Sequence, residues 1–127
     1  MGTRTVITFK DAHEEFSVYQ HYDGYPSYVI QNIASAIPFA WDFPRFEARD
    51  FGAAYIAANK TGAGVIYLTT NADAHGDLDF KYVVSVPKDA NHLRVDIHQY
   101  EWSTRSWKWY STRYVTENST GKQHAFA

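Results

Sequence analysis

The chain has 127 residues, a length that suits one domain built around a single hydrophobic core. Twelve basic against fourteen acidic residues give a net charge of −2, which excludes the overall positive field that draws proteins to duplex nucleic acid or anionic lipid. The chain contains no cysteine, which excludes disulfides, thiolate zinc sites and thiol nucleophiles.

The first predicted elements are two short segments rich in β-formers, residues 5–9 and 16–20. The polar segment 10–15 joins them, which predicts an antiparallel hairpin. A turn signal at residues 22–26 then precedes a helical pattern, and Pro38 ends this helix. The apolar positions that share one face of the helix are Ile30, Ile33, Ala34 and Ile37.

A second helix is predicted to start at an Asp42 cap, with Pro44 in its first turn, and to end at Gly62. Beyond it, four β-rich segments separated by turn-forming residues predict a β-meander. These segments are residues 65–70, 78–86, 92–102 and 106–115. The order ββααββββ therefore predicts one α+β domain over residues 1–115, an antiparallel sheet with two helices packed on one face. Residues 116–127 are predicted to form a flexible polar tail.

The last predicted hairpin carries most of the tryptophans. If Thr104 and Arg105 are its two turn residues, two favourable charge pairs and two aromatic pairs cross the strands. The pairs are Trp102 with Trp107, Tyr100 with Trp109, His98 with Ser111, Glu101 with Lys108 and Asp96 with Arg113. Neither turn residue readily takes a positive φ, so a longer loop is the alternative.

Alternation along these strands predicts two apolar faces. Leu93, Val95 and Ile97 are expected to face the helices, whereas a tyrosine and three tryptophans share the other face. So large an aromatic patch is typical of a partner or ligand surface. One interpretation is an interface between copies of a homo-oligomer, or a core covered by the tail. The other is a platform on which a nucleotide ring stacks beside His98 and Arg113. The aromatic residues are Tyr100, Trp102, Trp107 and Trp109.

Two polar loops offer candidate metal ligands, which are His21, Asp23, Asp73, His75 and Asp77. If the loops converge, these side chains predict a divalent-ion site for hydrolysis. The alternative is that their aspartates and glycines only form turns. The sequence has no P-loop, nucleophile elbow or dinucleotide fingerprint, so we expect a protein that is not an enzyme and uses no cofactor.

The segments M-G-T-R-T (residues 1–5) and H-Y-D-G-Y-P (residues 21–26) resemble a family of small phage and prophage proteins. The family pattern is M-[GS]-T-R-[ST] followed by H-W-D-G-Y-P, and Tyr22 stands at the position of its tryptophan. The resemblance implies viral origin and action inside the infected bacterium. Some small phage proteins without catalytic motifs sequester nucleotide-derived immune signals, and by analogy such a role is expected here.

Three functions follow from these features. The first is non-enzymatic binding of a small nucleotide-like ligand, used against host defence. The second is a metal-dependent phosphodiesterase or nuclease that uses the polar loops. The third is an inhibitor or accessory protein that binds a host protein through the aromatic face. Ligand-binding candidates are Arg4, His21, Asp23, Tyr25, Arg94, His98, Tyr100, Trp102, Trp107, Trp109 and Arg113.

The expected location is the cytoplasm. No apolar run approaches the roughly 20 residues of a membrane span, and the first residues lack the apolar stretch of a secretion signal. We therefore expect no membrane partner, and the charge balance predicts no duplex nucleic acid partner.

Overall fold

The computed structural model describes residues 3–71 and 74–116, so the predicted tail lies outside the described residues from residue 117 onward. The two helices are α1 (Pro26–Ala36) and α2 (Ala48–Asn59), and a short 3-10 helix (Ile37–Phe39) follows α1. The strands are β1 (Thr5–Lys10), β2 (Glu15–Gln20), β3 (Ile66–Thr69), β4 (Phe80–Ser85), β5 (Leu93–Glu101) and β6 (Ser106–Val115).

All six strands form one sheet in the order β3-β2-β1-β4-β5-β6. The α+β class is confirmed, but the expectation of a purely antiparallel sheet is wrong, because β1 and β4 are parallel. The predicted meander is also wrong at its start, since β3 pairs with β2 and not with β4. The hairpin of β1 and β2 lies inside the sheet. On one side β3 pairs with β2, and on the other side the β4-β5-β6 meander pairs with β1 through β4.

The core lies between the sheet and the two helices. The predicted inward set of Leu93, Val95 and Ile97 is confirmed, because all three side chains are fully buried. Two buried tyrosines keep their hydroxyls satisfied: Tyr55 donates to the side chain of Gln20 and Tyr82 to the carbonyl of Gly24. Burial raises the pKa of both phenols. Other buried residues of this core are Ile7, Phe9, Val18, Val29, Ile33, Phe51 and Val84.

The start of α2 differs from the prediction. The helix begins at Ala48, six residues after Asp42, so the predicted Asp42 cap is wrong. The missing cap comes from another element: Oδ2 of Asp11, in the β1–β2 turn, accepts the N–H of Ala48 at 2.8 Å. Oδ1 of Asp11 accepts the N–H groups of His13 and Glu14. One carboxylate thus shapes its own turn and satisfies a helix N-terminus.

The β5–β6 hairpin has a longer turn and a bulge, so its predicted register is wrong. Residues 102–105 form the turn, with Arg105 at φ 55°, and an irregularity follows Ile97. The observed pairs are Tyr100 with Trp107, His98 with Trp109, Asp96 with Thr112 and Val95 with Arg113. Lys108 lies opposite Gln99 but still forms an ion pair with Glu101 at 3.3 Å. The predicted pair of Asp96 with Arg113 does not form, because Arg113 is opposite a residue that faces the helices.

Candidate ligand-binding site

The face of the sheet without helices, the open face, carries a cleft beside the β5–β6 turn. Its volume is about 500 Å³, which is within the usual size of small-molecule sites. The loop before β4 forms one wall and the last hairpin forms the other. We call this feature the aromatic cleft. Its lining residues are His75, Gly76, Asp77, Leu78, Tyr100, Trp102 and Trp107.

The hairpin wall of the aromatic cleft is a cluster of three rings. Tyr100 meets Trp102 at 4.5 Å and Trp107 at 5.2 Å between ring centroids, both edge to face. Such pairs are favourable and hold each ring in a defined orientation. Trp102 stays 56% exposed at the rim, and Trp107 packs on the small buried cluster that contains Leu78. Leu78 therefore gives the cleft an apolar floor.

The loop wall is held by Tyr19 of β2. The ring of His75 stacks on Tyr19 at 4.6 Å, and Nε2 of His75 bonds Thr69 Oγ1 at 2.8 Å. The Tyr19 hydroxyl also forms a hydrogen bond with Nδ1 of His21 at 2.8 Å. Burial raises the pKa of Tyr19, so the side chain is a neutral phenol at physiological pH. The two predicted polar loops therefore do meet, through histidines that contact one tyrosine.

Cationic side chains flank the aromatic cleft. Arg4 forms an ion pair with Asp77 at 3.4 Å. Nζ of Lys81 lies 4.5 Å from the ring centre of Trp107, a cation–π distance. His98 is opposite Lys81 in the sheet and adds a polar ring on the same face. The cleft thus combines ring surfaces, two cations and one carboxylate.

Trp109 is on the open face but does not line the aromatic cleft, and four other predicted ligand-binding residues lie away from the cleft. Arg94 is farther along β5, where it pairs with Asp96. Asp23 occupies a turn at φ 57°. Tyr25 contacts Phe80, whose side chain faces the helices. Arg113 projects to that same side, so its predicted place beside the tryptophans is wrong; the bulge in β6 reverses the expected alternation there.

The H-Y-D-G-Y-P segment has a structural explanation centred on Gly24. The Gly24 N–H donates to the Thr3 carbonyl at 2.9 Å, and an added Cβ would lie 2.6 Å from that same oxygen. The Gln20 amide donates to the carbonyls of Tyr22 and Asp23. The segment therefore packs the turn before α1 against the start of β1, and only its histidine reaches the tyrosine beside the cleft.

The metal hypothesis finds little support in the side-chain arrangement. Within residues 3–71 and 74–116, no three His, Cys, Asp or Glu side chains are grouped as a metal site would need. Asp73 lies outside the described residues, His75 contacts Thr69, and Asp77 contacts Arg4. In the same ranges, neither helix combines the length and apolar character that a membrane crossing requires.

Comparison with known proteins found no matching family model, curated protein or solved structure. The site is therefore defined by its geometry alone. Sequence reasoning missed Tyr19, Leu78 and Lys81. Successive side chains of a strand point to opposite faces. Because Val18 faces the helices, this alternation could have placed Tyr19 on the open face. Leu78 was missed because the predicted strand 78–86 would place it on the same face as Phe80, whereas β4 begins at Phe80 and Leu78 lies in the irregular segment before it, packed with Tyr19.

Proposed function

We propose that the protein binds a small nucleotide-like ligand in the aromatic cleft and does not convert it. The observation that carries the proposal is the ring cluster of Tyr100, Trp102 and Trp107 above the apolar floor of Leu78. Every base has a planar π-face, so stacking on such rings does not depend on which hydrogen-bonding groups the base carries. Held rings lose little conformational entropy when a ligand arrives.

The charges around the cleft favour a nucleotide over a neutral aromatic compound. Lys81 is positioned above Trp107 to meet a phosphate, and Arg4 stands at the other wall. The Asp77 carboxylate, which is 74% exposed, is available to accept a hydrogen bond from a sugar hydroxyl or an exocyclic amine. The ligand then bridges the loop wall and the hairpin wall.

The biological setting belongs to the same proposal. A protein that binds without turnover acts by lowering the free concentration of its ligand. The resemblance of the first 26 residues to phage proteins points to an infected bacterium, where a nucleotide-derived immune signal would be the target.

The test is a tryptophan-fluorescence titration with adenosine monophosphate, adenosine and ribose 5-phosphate. We expect saturable quenching by the nucleotide, weaker binding of the nucleoside and none of the sugar phosphate. Trp107→Ala should weaken nucleotide binding about tenfold or more, because a base stacked on an aromatic ring contributes roughly 1–3 kcal/mol. Chromatography should recover the nucleotide unchanged.

The matched control is Trp41→Ala. Trp41 is an exposed tryptophan that lies between the 3-10 helix and α2 and stacks under Arg45 at 3.4 Å. Its loss should leave the affinity unchanged. If Trp41→Ala and Trp107→Ala weaken binding equally, or if no nucleotide binds, the assignment of the aromatic cleft is wrong.

A further inference from the structure

Beyond Trp102 and Trp107 of the aromatic cleft, the open face presents a third tryptophan in a fixed orientation. Trp109 is 67% exposed, yet its Nε1 donates to Thr112 Oγ1 at 3.1 Å. The Thr112 hydroxyl donates in turn to Asp96 at 2.7 Å, and Asp96 also accepts from Arg94 at 3.2 Å. The indole is thus held by a chain of side-chain hydrogen bonds while much of its surface faces solvent. A large ring already ordered in water is suited to binding, because little rotamer entropy remains to be lost.

The spacing of the two tryptophans fits consecutive bases of an open strand. Trp107 and Trp109 project from the same face of β6 two residues apart, a rise of about 6.6 Å along a strand. Bases stacked in a duplex are about 3.4 Å apart, so rings at twice that spacing suit bases that have been unstacked. Single strands permit this unstacking and a duplex resists it.

Cations lie along the same face as these rings. Lys81 is beside Trp107, and Arg94 is at the far end of the hydrogen-bonded chain that holds Trp109. His98 lies opposite Trp109 in the sheet. A polymer that crosses both tryptophans therefore passes Lys81, His98 and the ion pair of Arg94 with Asp96. This arrangement favours an anionic polymer over a neutral glycan, which would use the rings but not the charges.

We infer that the open face binds single-stranded oligonucleotides, with one base in the aromatic cleft and the next on Trp109. The inference rests on the proposed function and extends its ligand from one nucleotide to a short strand. The phosphates follow Lys81 toward Arg94, and the backbone stays on the solvent side of the sheet.

Fluorescence titrations with thymidine monophosphate, trinucleotide and hexanucleotide test this inference. The affinity should rise at least tenfold from the monophosphate to the hexanucleotide and should fall with added salt, because phosphate contacts release counterions. Trp109→Ala should reduce hexanucleotide affinity about tenfold and leave monophosphate affinity unchanged, whereas Trp107→Ala should reduce both. Trp41→Ala is the control, and circular dichroism verifies that each variant is folded.

The outcomes separate the two proposals. Equal affinity for the monophosphate and hexanucleotide, with both weakened by Trp107→Ala, would leave the proposed function standing and overturn the inference. Binding of the corresponding duplex as tightly as the single strand, or tighter binding of a neutral hexasaccharide, would also overturn it. Failure of every nucleotide to bind would remove both proposals.

Discussion

The two faces of the sheet obey the same alternation but end in different environments. On the helix-covered face, Phe9 and Tyr82 are fully buried, and the Tyr82 hydroxyl is bonded to backbone inside the core. On the open face, Trp109 keeps two thirds of its surface exposed, and its indole N–H donates to the Thr112 hydroxyl at the protein surface. An aromatic residue in a strand therefore does not by itself indicate core. The layer of α1 and α2 decides which face is sealed.

The largest expected effect contrasts an aromatic residue on each face. Phe9 lies 5.8 Å from Phe51 and 5.6 Å from Tyr55 between ring centroids. Phe9→Ala should lower the free energy of unfolding by about 3–5 kcal/mol, because it leaves a cavity in a packed core. Trp109→Ala should change it by no more than about 0.5 kcal/mol. Urea unfolding followed by circular dichroism measures both. A large loss for Trp109→Ala would mean that the open face is part of the core.

A smaller effect is expected where the turn before α1 meets β1. A Cβ at Gly24 would lie 2.6 Å from the Thr3 carbonyl oxygen, a backbone atom that cannot swing aside. Gly24→Ala should therefore lower stability by about 1–3 kcal/mol. Gly76, in the lining of the aromatic cleft, has nothing within 4 Å of an added Cβ. Gly76→Ala is the control, and thermal unfolding should show a change of no more than about 0.5 kcal/mol. Equal losses would contradict the close approach at Gly24.

The smallest effect concerns the carboxylate that joins the β1–β2 turn to α2. The pKa of Asp11 lies below its ordinary value of 3.8 because its carboxylate accepts two backbone hydrogen bonds. The N–H of Ala48 has the larger effect and the N–H of His13 the smaller. Asp11→Ala should lower stability by about 1 kcal/mol at neutral pH, as expected for the loss of a helix cap. Because the folded pKa is depressed, this contribution is present above pH 3.8 and disappears as the pH falls through the folded pKa.

Unfolding of the wild type and Asp11→Ala between pH 7 and pH 2 measures this contribution. The two stability curves should converge at the acidic end. A constant separation down to the lowest pH would show that the charge of Asp11 does not stabilise the start of α2.

Much of the aromatic site could be predicted from strand alternation. Tyr100, Trp107 and Trp109 were expected on the face away from the helices, and the structure places them there. The position of Arg113 could not be predicted, because β6 carries one extra residue opposite the step from Ile97 to His98, and nothing in the local sequence marks this bulge. The hairpin register failed for a related reason, since four residues form the turn where two were expected.

The sequence by itself determined the class of the fold, the approximate extents of its strands and the inward set of Leu93, Val95 and Ile97. These features depend on periods of two and about 3.6 residues, which are local properties of the chain. Only the tertiary structure decided the parallel pairing of β1 with β4, the capping of α2 by Asp11 from 37 residues away, and the meeting of His21 and His75 at Tyr19. Such contacts depend on how the whole chain closes around its core, and no local period encodes them.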